Sequence, residues 1–119
     1  MNDASLRCLI IEDEPLIAMV LEDMLESIGH DVVDVVNSLD SAGMAIDRGD
    51  FDVVILDVNL GADPAWDIAD ALRERGCAFI LATGSPMAAA PERFRDAHFL
   101  SKPYLLADVD AVMKRLFAH

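Results

Sequence analysis

The segment Val53–Asp57, which reads VVILD, decides the fold of this chain. Four consecutive apolar residues, three of them β-branched, are followed by a single carboxylate. A short run that is apolar on both faces is typical of a strand in a parallel sheet that is covered by helices on both sides. The segment therefore predicts a central strand that ends with Asp57 at the edge of the sheet.

Apolar runs of this kind alternate along the chain with stretches whose apolar residues repeat at helical spacing. The predicted strands are residues 6–11, 31–36, 53–57, 78–82 and 97–100. Pro15 suits the first turn of a helix, and Gly29, Gly49 and Gly76 suit helix ends. Regular alternation of strand and helix predicts an α/β fold, in which one doubly wound parallel sheet of five strands carries helices on both faces.

The later helices carry weaker signals. The third is predicted to have Asp63 as its cap, followed by Pro64, and the last is predicted to span residues 105–117. Pro86 and Pro91 bracket a run of alanines between the fourth and fifth strands, and proline disrupts the interior of a helix. We therefore expect the fourth helix to be short or irregular and to begin near Pro91.

The composition indicates one folded domain with an acidic surface. The chain has 119 residues, of which 54% are hydrophobic, and this suffices for one hydrophobic core. A total of 9 basic residues against 22 acidic ones gives a net charge of −13, which disfavours nucleic acids and anionic membranes as partners. We expect a single domain over residues 1–119, with no output domain.

No segment of the sequence predicts export or a membrane span. No apolar run approaches the roughly 20 residues that a spanning helix needs, and residues 1–5 carry an acid in place of the basic start of a signal peptide. Cys8 and Cys77 lie in apolar stretches without zinc-site spacing, which is typical of free thiols in a reducing compartment. The expected location is the cytoplasm.

Polar residues stand at the ends of four of the five predicted strands. Glu12 and Asp13 follow the first strand, Asp57 ends the third, Thr83 follows the fourth and Lys102 comes after the fifth. Ligands of doubly wound sheets bind outside the carboxyl ends of the strands. These five side chains are therefore predicted to share one edge of the sheet.

The chemistry of this set indicates phosphoryl transfer. Asp13 and Asp57 are predicted to face each other, and like charges at close range raise pKa values or recruit a cation. Hard oxygen ligands of this kind suit Mg²⁺. An ionised Asp57 can attack phosphorus and form an acyl phosphate, while Lys102, Thr83 and the metal would neutralise charge on the transferred group.

These residues and their spacing resemble the receiver domain of two-component response regulators, over essentially the whole chain. The matching residues are Glu12-Asp13, Asp57, Thr83 and Lys102-Pro103. The resemblance implies a flavodoxin-like fold with the strand order 2-1-3-4-5. It also implies that a sensor histidine kinase phosphorylates Asp57, and that the chain signals through protein contacts or a phosphorelay to a phosphotransfer or output protein.

The resemblance further implies how the acid cluster works. Asp13, Asp57 and the backbone carbonyl of Asn59 would bind Mg²⁺, with Glu12 acting through a water molecule. Asn59 stands two residues after Asp57, and Ser85 stands two residues after Thr83. We expect these two side chains to flank the phosphoryl pocket and to influence the rate of hydrolysis.

Thr83 and Lys102 would contact the phosphoryl oxygens, and the peptide bond between Lys102 and Pro103 would be cis, an uncommon feature in folded proteins. The family often has a tyrosine three residues before the lysine, and here that position is Phe99. Because a phenyl ring has no hydroxyl, the usual coupling of threonine to tyrosine is expected to be weakened or replaced.

Two short stretches resemble an atypical receiver subfamily known as FATGUY. They are residues 79–84, which read FILATG, and residues 91–94, which read PERF. Members of this subfamily are often partners of histidine kinases of the HWE or related type. A segment over residues 84–91 that becomes ordered on phosphorylation would then act as the switch.

The residues also leave other functions open. A degenerate receiver would act only as a binding module. A small haloacid-dehalogenase-like phosphatase also uses an aspartate nucleophile, a threonine and a lysine, but it wants a second acid where Asn59 stands. A flavodoxin-like cofactor binder needs a phosphate-cradling loop, where Glu12, Asp13 and Glu14 would repel the phosphate. The expected role is that of a phosphoacceptor and not of a turnover enzyme.

Overall fold

The computed structural model describes residues 5–60, 63–84 and 90–116, with Asp63 and Pro64 described by their backbone alone. The strands are β1 (Arg7–Ile11), β2 (Asp31–Val36), β3 (Val53–Asp57), β4 (Asn59–Leu60), β5 (Asp63–Pro64), β6 (Ala78–Thr83) and β7 (Phe99–Ser101). The helices are α1 (Pro15–Ser27), α2 (Leu39–Arg48), α3 (Trp66–Glu74) and α4 (Leu106–Arg115), with a 3₁₀ turn at Glu92–Phe94. Within this described part, no helix is long and apolar enough to cross a membrane.

The central sheet has five parallel strands in the order β2-β1-β3-β6-β7. Numbered within this sheet alone, the order is 2-1-3-4-5, so the predicted doubly wound fold and its strand order are confirmed. β4 and β5 form a separate antiparallel pair. The strand order reverses between β1 and β3, which is where sheets of this kind bind their ligands.

Two apolar layers cover the two faces of the sheet. One layer packs residues of β1, β3 and β6 against α2 and α3, and the other packs alternate residues of the same strands against α1 and α4. Every residue of β3 is buried. The run VVILD is therefore the central strand that its composition predicts.

Helices α1, α2 and α3 are each followed closely by a glycine with positive φ. Gly29, Gly49 and Gly76 have φ angles of 97°, 71° and 71°. A side chain would clash with the backbone in this left-handed conformation, so glycine is the residue that ends a helix in this way. The three predicted helix ends are confirmed.

The predicted start of the third helix is wrong. Asp63 and Pro64 form β5 and pair with Asn59–Leu60, and α3 begins two residues later at Trp66. The local signals of a cap and a following proline were outweighed by the antiparallel pairing of these two residues with β4. The helix therefore begins without an Asp cap.

Between β6 and β7, the described residues contain a 3₁₀ turn at Glu92–Phe94, which begins next to the predicted helix start at Pro91. Residues 85–89, and with them most of the predicted switch segment, lie outside the described residues. The last strand of the sheet starts at Phe99 and not at Ala97 as predicted. Ala97 instead donates its N–H to the Phe94 carbonyl and completes the 3₁₀ turn.

Phe94 anchors this turn to α3. Its ring is fully buried and stacks on the ring of Trp66, with centroids 5.5 Å apart. The guanidinium groups of Arg73 and Arg93 lie 4.5 Å and 4.9 Å from the centroid of the Phe94 ring. Arg93 also donates two hydrogen bonds of 2.9 Å to Asp70 of α3. We call these five residues the Phe94 cluster.

Candidate functional site

The parallel register brings the ends of four strands to one edge of the sheet. Asp57 of β3 pairs with Ala82 of β6, and Thr83 of β6 pairs with Ser101 of β7. β1 runs in register beside β3. The polar residues at these strand ends therefore lie side by side, as the sequence predicts.

Three carboxylates meet at this edge. Glu12, Asp13 and Asp57 each offer a carboxylate oxygen, and these oxygens lie within 4.8 Å of one another. Glu12 and Asp57 are buried, with 3% and 5% of their surface exposed, while Asp13 is half-buried. The structure thus brings Asp13 and Asp57 together, as expected, and places an oxygen of Glu12 within 4.8 Å of both.

Lys102 is the cation of the site. Its Nζ lies 3.0 Å from Glu12 Oε1 and 3.2 Å from Asp57 Oδ2. Its backbone N–H donates a hydrogen bond of 2.9 Å to the carbonyl of Thr83, which is buried at the end of β6. The loop after β7 is thereby tied to the neighbouring strand, with the ammonium between the two buried acids.

Backbone N–H groups bind the other oxygens of the two buried acids. The N–H of Asn59 donates to Asp57 Oδ1 at 3.1 Å, and the N–H of Glu14 donates to Glu12 Oε2 at 3.2 Å. Each carboxylate is therefore held by one oxygen, and its second oxygen faces Lys102.

Burial shifts the protonation equilibria of the site. It raises the pKa of the Glu12 carboxyl; the ion pair with Lys102 opposes this rise and the neighbouring Asp57 adds to it. Burial alone would lower the pKa of Lys102, but the carboxylates of Glu12 and Asp57 outweigh burial and raise it. Lys102 therefore stays charged, whereas Glu12 takes up a proton more readily than an exposed glutamate does.

The donor set fits a magnesium ion. Among the described residues, the Lys102 ammonium contacts two of the three carboxylates, so these four side chains together carry more negative than positive charge. In the described part of the chain, Glu12 Oε1 is buried without a well-aligned hydrogen bond, although the Lys102 ammonium is 3.0 Å away. Hard carboxylate oxygens are the ligands that Mg²⁺ takes in proteins. A divalent cation at this edge would relieve the excess charge.

The remaining predicted residues surround this cluster. Asn59 is exposed and contributes the backbone N–H described above. Phe99 is 42% exposed on β7, at the edge of the sheet. The peptide bond between Lys102 and Pro103 is cis, as predicted. Ser85 lies outside the described residues.

Tyr104 belongs to this region although the sequence reasoning missed it. It lies two residues after Lys102 and is buried in the core layer beneath α1 and α4. Burial raises the pKa of its phenol, and the carboxylates of Glu12 and Asp57 raise it further. The available signal was an aromatic ring directly after the Lys-Pro pair.

Comparison of the sequence with known protein families identifies the class of protein that has this fold and this site. A profile of the response regulator receiver domain matches residues 8–114. This match covers most of the chain, and the chain therefore belongs to the response regulator receiver domain family. It is a domain of two-component signalling.

The particular relatives are regulators of the SdrG and PhyR type. SdrG from Sphingomonas melonis is 39% identical, and its solution structure has a TM-score of 0.85 over 97% of this chain and 98% of that one. The phyllosphere-induced regulator PhyR from Methylorubrum extorquens is 32% identical over 95% of this chain and 44% of the relative. A crystal structure of PhyR from Bartonella quintana, described as an anti-anti-sigma factor, is 26% identical, with a TM-score of 0.75 over 98% of this chain and 50% of that one. The chain thus spans half or less of the length of these PhyR proteins.

Proposed function

We propose that this chain is a phosphorylation switch, in which Asp57 accepts a phosphoryl group from a sensor histidine kinase in the presence of Mg²⁺. One observation carries the proposal: the buried Asp57 carboxylate lies 3.2 Å from the Lys102 ammonium, beside two further carboxylates. Membership of the receiver domain family supports the same assignment.

The protein promotes phosphoryl transfer mainly by positioning the reacting groups and by stabilising charge. One oxygen of Asp57 forms a bond to phosphorus while the bond from phosphorus to the donor atom breaks, and that atom keeps the electron pair. Charge on the transferred group lies on its non-bridging oxygens, so a fixed cation beside Asp57 favours the transfer. Lys102 and the hydroxyl of Thr83, at the same edge of the sheet, are assigned this role.

Glu12, Asp13 and Asp57 are the residues that would hold Mg²⁺, with the carbonyl of Asn59 as a further candidate. When bound, the ion supplies positive charge that reduces repulsion between two anionic reactants. The chain itself orients the Asp57 carboxylate through the Asn59 N–H.

Both the donor and the output partner are proposed to be proteins. The net charge of −13 disfavours nucleic acid as a direct partner. The resemblance of residues 79–84 and 91–94 to the FATGUY subfamily supports a histidine kinase of the HWE or related type as the donor. The anti-anti-sigma description of the Bartonella relative supports a protein regulator of transcription as the output partner. A cytoplasmic location fits both.

Intact-mass spectrometry with acetyl phosphate tests this function. The parent protein should gain one phosphoryl group with Mg²⁺ and none with EDTA. Asp57→Asn should gain none, because its amide is not a nucleophile. Asp67→Asn, an exposed position on α3, is the matched control and should behave like the parent.

Three outcomes would contradict the proposal. Equal modification of Asp57→Asn and the parent would place the acceptor elsewhere. Sustained turnover of p-nitrophenyl phosphate would identify a phosphatase of the haloacid-dehalogenase kind. A parent that neither small donors nor a panel of histidine kinases modifies would identify a receiver that only binds proteins.

A further inference from the structure

The loop that carries Lys102 packs into the core through a single side chain. Leu100 and Val109 are 2% and 0% exposed, and between them Tyr104 is the one buried residue. The other residues of this stretch are exposed, apart from Lys102, which is half-buried. The side chain of Tyr104 is therefore what holds the loop against the sheet and α4.

The side of this loop that faces α1 has little packing support. An open cavity of about 440 Å³ lies there, lined by Leu16, Ile17, Val20, Lys102, Pro103 and Tyr104. Leu16 and Val20 are exposed, so the helix does not close over the loop. The position of the ammonium therefore depends on two attachments: the backbone hydrogen bond of Lys102 to Thr83 and the buried ring of Tyr104.

We propose that Tyr104 is a positioning residue for Lys102, and that its buried ring holds the ammonium between Glu12 and Asp57. This inference rests on the proposed function, because the place of the ammonium matters for transfer only if Asp57 accepts the phosphoryl group. The ring and the hydroxyl have different roles. The ring supplies the packing, and the phenol stays protonated and adds no charge to the site.

The expected change in the rate of phosphorylation follows from how removal of the Tyr104 ring would change the loop. Tyr104→Ala would merge the volume of the ring with the adjacent cavity and release the loop on both sides. Misplacement of a reacting group by about 1 Å can cost on the order of 100-fold in rate. We expect the initial rate of phosphorylation to fall at least about tenfold in Tyr104→Ala and to stay within about twofold of the parent in Tyr104→Phe.

The experiment compares Tyr104→Phe, Tyr104→Leu and Tyr104→Ala with Met113→Ala. Met113 is also buried in the same core layer but does not line the cavity, so it reports loss of stability alone. The first readout is the initial rate with acetyl phosphate and Mg²⁺. The second is the Cε–Hε resonance of Lys102 by NMR, in the protein without donor or metal.

The proposal predicts a parent-like Tyr104→Phe, an intermediate Tyr104→Leu, and a slow Tyr104→Ala whose Lys102 resonance moves towards that of an exposed lysine. Met113→Ala should keep both the rate and the resonance. A folded Tyr104→Ala with the rate and resonance of the parent would overturn the proposal, and so would equal changes in Met113→Ala. If Tyr104→Ala does not fold, Tyr104→Leu decides in the same way. A parent that accepts no phosphoryl group counts against the proposed function, whereas the resonance still tests the positioning.

Discussion

Two clusters of this protein pair a cation with carboxylates at similar distances, but they differ in burial. At the sheet edge, Lys102 Nζ lies 3.0 and 3.2 Å from its two partners, and the three side chains are between 2% and 19% exposed. In the Phe94 cluster, Arg93 and Asp70 are 2.9 Å apart, with side chains 51% and 36% exposed. The sheet edge contains more acid than base, whereas in the Phe94 cluster the one carboxylate, that of Asp70, has its own ion-pair partner in Arg93.

The difference shows that distance alone does not determine what an ion pair does. When an exposed ion pair forms, each charge gives up contacts with water for contacts with its partner, so the pair contributes little to stability. Buried charges have no water to contact, so a buried charge without a partner of opposite sign is costly. A cluster with such a charge responds strongly to a bound ion or a new covalent charge. The sheet edge is therefore suited to a switch, and the Phe94 cluster to an anchor.

Removing the buried cation should have the largest effect. Lys102→Met keeps the length of the side chain and leaves the acids without their counter-charge, so we expect a loss of about 3 kcal/mol in the free energy of unfolding when metals are chelated. Mg²⁺ should restore part of this loss. Urea unfolding in EDTA and in Mg²⁺ measures both, and Arg93→Met is the exposed counterpart. Equal losses in the two variants would show that burial does not distinguish the clusters.

Removing one acid from the buried cluster should have a smaller effect of the opposite sign. Asp13→Asn reduces repulsion among the three carboxylates, so its free energy of unfolding in EDTA should rise by about 1–2 kcal/mol. Its stabilisation by Mg²⁺ should be lost, whereas the parent should gain about 2.7 kcal/mol at 100 times the dissociation constant.

Thermal denaturation with and without Mg²⁺ checks both parts of this prediction. Asp23→Asn, at an exposed acid on α1, is the control and should respond to Mg²⁺ like the parent. A variant of Asp13 that is less stable than the parent in EDTA would show that repulsion is not the dominant interaction at the sheet edge.

A buried titratable group far from both clusters sharpens the comparison. His30 is buried, and its Nδ1 accepts a hydrogen bond of 3.1 Å from the N–H of Leu6. Burial lowers the pKa of His30 below its ordinary 6.5, although Asp110 and Asp31 oppose the shift. As the pH falls, the unfolded chain takes up this proton first. The contribution of His30 to the free energy of unfolding is therefore complete above pH 6.5, and it decreases as the pH falls from there through the pKa of His30 in the folded state.

We expect His30→Asn, whose Oδ1 can accept the same hydrogen bond, to lose this part of the pH dependence. One proton changes the slope by no more than about 1.4 kcal/mol per pH unit. Urea unfolding of the parent and the variant across the acidic range measures the difference. Equal slopes in the two proteins would contradict the assignment.

Removing the exposed pair should have the smallest effect. Asp70→Asn keeps the shape of the side chain and removes its charge, so the unfolding midpoint should fall only slightly. The difference from the parent should vanish at about 1 M salt, where the screening length is about 3 Å. A fall as large as that of Lys102→Met would mean that the anchor depends on the charge of Asp70 and not on the packing of Phe94.

Local sequence signals predicted the parts of the structure that depend on neighbours along the chain. The run VVILD forms a strand that is buried on both faces, and Gly49 ends a helix because only glycine adopts its backbone conformation without strain. The same reasoning failed at Asp63 and Pro64. There the two residues pair with Asn59–Leu60 in place of starting a helix, and no local pattern predicts that pairing.

The candidate site was predictable in its members and not in its contacts. Polar residues at strand ends must share one edge of a parallel sheet, so Asp57, Thr83 and Lys102 could be grouped from the sequence. That the ammonium of Lys102 would lie between Glu12 and Asp57 depends on the reach of side chains from three different elements. The place of Tyr104 under the loop depends on how α1 and α4 pack.

The sequence by itself determined the alternation of strand and helix, the helix ends at glycine and the set of acids and lysine at the strand ends. Backbone sterics and the periodicity of apolar residues act over a few neighbours, and the sequence displays them directly. Only the tertiary structure decided which of the acids are buried, that burial raises the pKa of Glu12, and that Phe94 packs the 3₁₀ turn against α3. These properties arise from the exclusion of water by residues that are distant in sequence, and burial decides the effect of each charge.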